Sequence, residues 1–172
     1  MRHLTAPGAI ATLLLSLSVV LLVGDAFAQS PTEQIVGAWT LVSADTVRPD
    51  GSRVQVFGPT PKGIMIFSRD GHFALVQMRA ELPRIAANSR DHATPEENKA
   101  IVQGSIAYFG TYSVNEAEKV IILKLEGSTF ANILGADEQK RLITSLTPDE
   151  LRFTNPRTPS GATLEVGWKR AK

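Results

Sequence analysis

The chain has 172 residues, with 18 Lys and Arg against 17 Asp and Glu for a net charge of +1, and it contains no cysteine. That balance offers no electrostatic footprint for nucleic acid or an anionic membrane surface. The missing thiols exclude a disulfide framework, a thiolate nucleophile, a cysteine-held zinc and lipidation after a leader.

In chain order, residues 1–28 read as an export signal. Arg2 and His3 form a short basic start, Ile10 to Val23 is apolar, and Gly24-Asp25 leads to Ala26-Phe27-Ala28, a small-x-small cleavage site. The apolar stretch is shorter than the roughly 20 residues of a spanning helix. Cleavage after Ala28 is therefore expected, with no stable membrane insertion afterwards and a location in a bacterial periplasm or outside the cell. The remaining 29–172 is the size of one domain.

Period-two runs then follow near 36–46, 53–57, 63–69, 72–79, 107–114, 119–126, 139–146, 150–154 and 162–170. Turn chemistry separates them: Pro49-Asp50-Gly51, Asp70-Gly71, Asn115 to Glu118, Pro148-Asp149 and Pro159-Ser160-Gly161. Asp-Gly supplies the backbone angles of a tight hairpin, so "GIMIFS" and "HFALVQM" form an antiparallel pair. One helix interrupts the series. Thr94 is its N-cap, Pro95 its first residue and Glu97 the third residue of a capping box, with Ala100, Ile101, Ala107 and Tyr108 at helical spacing. Segment 80–106 is long for a compact domain and reads either as a lid over a mouth or as a plug on one side. Many short strands imply an all-β sandwich or barrel.

"IVGAWTLVSAD" puts Gly37, Trp39, Leu41 and Ser43 on one face of the first strand, and "LEVGWKR" puts Trp168 and Arg170 on one face of the last. If those strands pair, Arg170 lies across the Trp39 ring, a cation–π contact of about 0.5–2 kcal/mol. Closure would also remove exposed sheet edges. This arrangement resembles the lipocalin superfamily. The stretches "FGPTPKGIMIFSRDGHFALVQMR", "TPEENKA", "YFGTYSV", "EGSTFANILGADEQKR" and "GWKR" are similar to the bacterial and fungal lipocalin-like domain family over about 36–170. The resemblance implies a closed antiparallel calycin barrel of about eight to nine strands with one inserted α-helix, and a small hydrophobic ligand inside. Many members carry histidine where this chain has Leu123 and Lys124, and proline where it has Ala131.

Outside the leader the histidines are His72 and His92, with no metal-ligand spacing around them. No nucleophile elbow, phosphate loop or dinucleotide fingerprint occurs, so no cofactor is expected. Candidate ligand contacts are polar groups on apolar strand faces: Gln77, Tyr108, Tyr112 and Arg141. Gly110 leaves space between the two tyrosines for a flat ligand. Tyr112 and Glu126 are the candidates for proton transfer, Glu126 pointing outward unless a bulge at Gly127 turns it in. Gly37, Trp39, Trp168 and Arg170 would close the barrel. Three functions stay open: a barrel binding a small apolar molecule, an isomerase or cyclase acting on one, and a packed β-domain without a ligand.

Overall fold

Nine antiparallel strands succeed one another as β1 (Gly37–Val47), β2 (Arg53–Gln55), β3 (Lys62–Phe67), β4 (His72–Met78), β5 (Ser105–Asn115), β6 (Val120–Ser128), β7 (Gln139–Leu146), β8 (Glu150–Asn155) and β9 (Thr163–Arg170). Among the described residues two α-helices accompany them, α1 (Pro31–Ile35) and α2 (Pro95–Gly104), with single 3-10 turns at Arg90–His92 and Ala131–Ile133. The computed structural model describes residues 29–135, 138–156 and 162–172. The export signal over 1–28 and the Pro159-Ser160-Gly161 turn lie outside the described residues.

β1 closes the sheet. Its first residues pair with β3, Gly37 opposite Phe67 and Thr40 opposite Ile64. Its other edge pairs with β9, from Trp39 opposite Arg170 to Val47 opposite Thr163. The ring β1-β3-β4-β5-β6-β7-β8-β9 is thus an eight-stranded barrel, and β2 is added beside the last part of β1. Alternation decides what faces inward. Trp39, Leu41, Met65, Phe67, Phe73, Leu75, Ile121, Leu123, Leu151, Phe153, Val166 and Trp168 are buried, while Val42, Ile64, Ile66 and Leu142 remain exposed on the outer wall. Bulges interrupt the register at Leu41/Ser43, Phe109/Gly110 and Ile143/Ser145. Extra residues of this kind bend strands and let a sheet curl shut. The first bulge corrects the alternation expected for β1: the inner face passes from Leu41 to Ala44, and Ser43 turns to the outer wall.

The two ends of the barrel differ in their connections. At one end β3–β4, β5–β6 and β7–β8 join through short turns, and α1 enters β1. At the other end β4–β5 and β6–β7 are joined by the long segments 79–104 and 129–138. We call these the closed and the open end. The described residues of both long segments therefore rim the same opening.

α2 is shorter than its sequence pattern implies. The capping box at Thr94 and Glu97 forms, with Thr94 Oγ1 accepting from Glu97 N at 3.2 Å and Glu97 accepting from Thr94 N at 2.8 Å. The helix stops at Gly104, and Ala107 and Tyr108 belong to β5, opposite Val76 and Leu75 of β4. The alternation of "SIAYFGTYSV" and a full ladder to β4 win over helical spacing, and Gly104 is a weak helix former. Gly104 is also the sole buried residue of α2, packed so closely on Leu82 that a Cβ would lie 2.6 Å from its Cδ2. Val102 is 70% exposed. No side chain of α2 fills the interior, so the helix sits on the rim. Glu97 Oε1 also accepts from Ala86 N at 2.9 Å, tying the preceding loop to it.

Candidate functional site

At the closed end the indole is held from both sides. Trp39 Nε1 donates to Ile35 O at 2.8 Å, and both residues are wholly buried. The polar tip of the ring is thereby paired, the requirement that makes a buried tryptophan tolerable. The Arg170 guanidinium stacks over the ring at 4.0 Å from its centroid. Its Nη1 donates to Val36 O at 3.0 Å, its Nη2 to Gln34 O at 2.6 Å and its Nε to Pro148 O. One side chain from β9 therefore pins α1, the β7–β8 turn and β1 together. Gly37 makes room for it: its φ is +125°, and a Cβ there would sit 2.9 Å from Arg170 Nη1. α1 is anchored again by Glu116, whose Oε1 accepts from Thr32 Oγ1 at 2.6 Å and Thr32 N at 3.2 Å.

Tyr112 belongs to this closed end. Its hydroxyl donates to Ser68 O at 2.8 Å, and its ring meets Phe67 edge-on at 4.7 Å between centroids. Burial, followed by the charge of Asp70, raises its pKa above the usual phenol value. Its hydroxyl proton is thus engaged by a main-chain carbonyl, and its anion is disfavoured. Glu126 sits at the β5–β6 register shift and is exposed. Between Tyr108 and Tyr112 the space opened by Gly110 is filled by main chain, since a Cβ would lie 2.0 Å from Lys124 O. Tyr108 is half-buried, its ring edge-on to Phe73 at 6.0 Å.

Two positions of the inner wall carry polar side chains. Gln77 and Arg141 are the buried polar and charged residues among those described, each 4% exposed. Gln77 precedes the last residue of β4 and stands opposite Gly63 and Ile106. Arg141 is the third residue of β7, opposite the buried Ile121 of β6. Its Nη1 donates to Lys140 O at 3.1 Å and its Nη2 to Gln139 Oε1 at 2.7 Å. The ion pairs among the described residues involve Arg53, His72 and Arg152, so no carboxylate meets Arg141. Gln77 makes no side-chain hydrogen bond among the described residues. Half-buried Ile106, Tyr108, Leu125 and Leu164 pack around the core. The register thus places Gln77 and Tyr108 toward the open end, whereas Tyr112 and Arg141, opposite the second residue of β6, lie nearer the closed end.

One inner-wall feature has no signal in the sequence. Trp168 is 1% exposed, and its Nε1 is buried without a hydrogen-bond partner. A second feature lies outside the barrel. A pocket of about 230 Å³ on the wall of β1, β8 and β9 is lined by Asp45, Arg53, Arg152, Glu165 and Gly167. Arg53 there pairs with Asp45 at 3.0 Å and Glu165 at 2.8 Å. Its size lies below the usual 300–1,000 Å³ of ligand sites, and its lining is charged. Among the described residues no group of three or more His, Asp or Glu side chains is placed to hold a metal, and no helix is long and apolar enough to cross a membrane.

The sequence matches no curated protein. Among solved structures it is similar to a de novo designed fluorescence-activating β-barrel, at 12% identity and a TM-score of 0.40, over 84% of this chain and 100% of that one. A family model described as a lipocalin-like domain matches residues 36–170, which span the barrel from the residue before β1 to the arginine that seals its closed end. The chain belongs to the lipocalin-like domain family.

Proposed function

We propose that the barrel binds one small hydrophobic molecule through its open end. The carrying observation is the placement of Gln77 and Arg141. The buried polar and charged side chains among the described residues both project from an otherwise apolar inner wall, Gln77 beside the open end and Arg141 deeper, opposite Ile121. Ligand sites commonly combine an apolar lining with a few fixed polar groups. Half-buried Ile106, Tyr108 and Leu125 supply apolar surface near the same opening. Burial there contributes about 25 cal/mol per Å² before ordering costs. Large aromatic residues fill the closed half, so the ligand is small.

The reading includes location. The leader pattern over 1–28 supports export, with the cleaved protein acting in a periplasm or outside the cell. N-terminal sequencing of the protein from a fractionated producing cell checks this: a mature start at Gln29 supports it, and an intact Met1 in the cytosol overturns it.

A packed β-domain without a ligand is favoured by one observation, the filling of the barrel by Trp39, Trp168, Phe67 and Met65. Titration with phenylnaphthylamine, a neutral apolar fluorophore, together with native mass spectrometry separates the two. Saturable one-to-one binding supports the ligand reading. A bare mass and no saturable signal with neutral or anionic probes support the packed domain.

A further inference from the structure

We propose that Arg141 forms an anion-reading subsite on the inner wall, so that the ligand is a small amphipathic monoanion with a carboxylate or equivalent acid on an apolar body. The inference rests on the ligand-binding reading and names its substrate class.

A guanidinium removed from water loses several kcal/mol of hydration, which is recovered only through good partners. Arg141 is 4% exposed and meets two neutral acceptors, its neighbour's carbonyl and the Gln139 amide. Those bonds fix the fork and leave its charge uncompensated by any carboxylate among the described residues. Arginine is suited to planar, two-pronged recognition of a carboxylate. Trp168 Nε1 adds an independent sign: it is buried on the inner wall without a hydrogen-bond partner. Buried polar groups are ordinarily satisfied, and an unsatisfied one calls for an explanation. A lining short of acceptors and carrying one spare positive charge complements an oxyanion.

The test uses matched probes on the purified protein. Anilinonaphthalene sulfonate and neutral phenylnaphthylamine share a ring skeleton, and decanoate and decanol compete with them as acid and alcohol of one length. The expected result is that decanoate displaces either probe at least about tenfold better than decanol, in line with one charge-assisted hydrogen bond. Arg141→Met should erase that preference while changing phenylnaphthylamine affinity less than about twofold. It should leave the unfolding midpoint unchanged or raised, because it removes an unpaired buried charge. Equal displacement by acid and alcohol overturns the inference while leaving the ligand reading intact. An Arg141→Met variant that loses stability yet keeps the acid preference also overturns it. Should Arg141→Met fail to fold, the wild-type displacement ratio and Arg141→Lys, which keeps the charge without the fork, decide the matter. Failure of both probes to bind removes the ligand reading and this inference with it.

Discussion

Gly37→Ala tests the closed end directly. Gly37 has φ +125°, a conformation that L residues adopt at about 1–3 kcal/mol. The added Cβ would also lie 2.9 Å from Arg170 Nη1. The tip of an arginine ordinarily moves aside with little penalty. Here it is held by the carbonyls of Gln34, Val36 and Pro148 and by the Trp39 ring, so moving it weakens the cation–π contact and those bonds together. Loss of the ring contact alone is about 0.5–2 kcal/mol. The sum is about 2–5 kcal/mol, a large share of the 5–15 kcal/mol typical of a domain. At about 3–4 °C per kcal/mol for this size, the melting temperature should fall by about 6–20 °C. Urea unfolding followed by fluorescence of Trp39 and Trp168 measures the change. In an Arg170→Met background the steric part disappears, so the two substitutions should be non-additive by about 1 kcal/mol or more. A Gly37→Ala penalty below about 0.5 kcal/mol, or full additivity with Arg170→Met, would refute the account of why glycine precedes the tryptophan.

The other expectations concern single contacts. Trp39→Phe should lower stability more than Trp168→Phe, by about 1–3 kcal/mol in urea midpoints, because it strands Ile35 O whereas Trp168 Nε1 has no partner to lose; the reverse order would show the Trp168 nitrogen to be satisfied. Hydrogen bonds from Ser68 and then from His72 hold the Asp70 carboxyl at about 2, against an ordinary value of 3.8. Its folded pKa is the lower one, so its contribution is present above pH 3.8 and is lost as pH falls toward 2. Thr32 depresses Glu116 and the Ala86 and Thr94 amides depress Glu97 from 4.5, so they act in the same acid direction. Urea midpoints should therefore decline from about pH 4.5 downward, and Asp70→Asn should flatten the portion between 3.8 and 2; an unaltered slope in the variant would refute the Asp70 assignment. Thr94→Ala removes the N-cap of α2 and should destabilise the helix by about 0.5–2 kcal/mol, seen as faster amide exchange over 95–104 with the barrel amides unaffected. Equal acceleration throughout the barrel would mean that α2 is part of the core.

How far the sequence discloses this molecule depends on the range of the forces involved. The strands, the Asp70-Gly71 hairpin and the inner face of most strands follow from alternation and turn chemistry, which act locally. The meeting of Gly37, Trp39 and Arg170 is legible because the first and last strands each carry a residue that only a closing neighbour satisfies. The bulge at Leu41/Ser43 is not, because it answers to barrel curvature, a property of all eight strands at once. Helix spacing extended α2 through Tyr108 because the competing ladder to β4 is a long-range pairing. α1 has a local signal in Ser30-Pro31-Thr32-Glu33, but five residues are too few to register without the Trp39 and Glu116 contacts that hold them. At the candidate site, alternation placed Gln77 and Arg141 beside apolar neighbours. That Arg141 meets no carboxylate among the described residues depends on what lies across the barrel, and no local pattern records that.

The polar groups of the inner wall therefore follow two rules. Around the Trp39 seal they are paired: its indole has Ile35, the Arg170 guanidinium has three carbonyls, Tyr112 has Ser68 and Thr32 has Glu116. Arg141 is buried with two neutral acceptors and no carboxylate among the described residues, and Trp168 Nε1 is buried with no partner. Local consistency specifies a fold, and a breach of it that persists marks a place where something else is selected. Arg141→Met separates the possibilities, because stability and ligand selectivity should respond in opposite senses. If the guanidinium were part of the scaffold, its removal would lower the unfolding midpoint, as removal of Arg170 should. If it is retained for an anion, the midpoint holds or rises while the preference for the acid disappears.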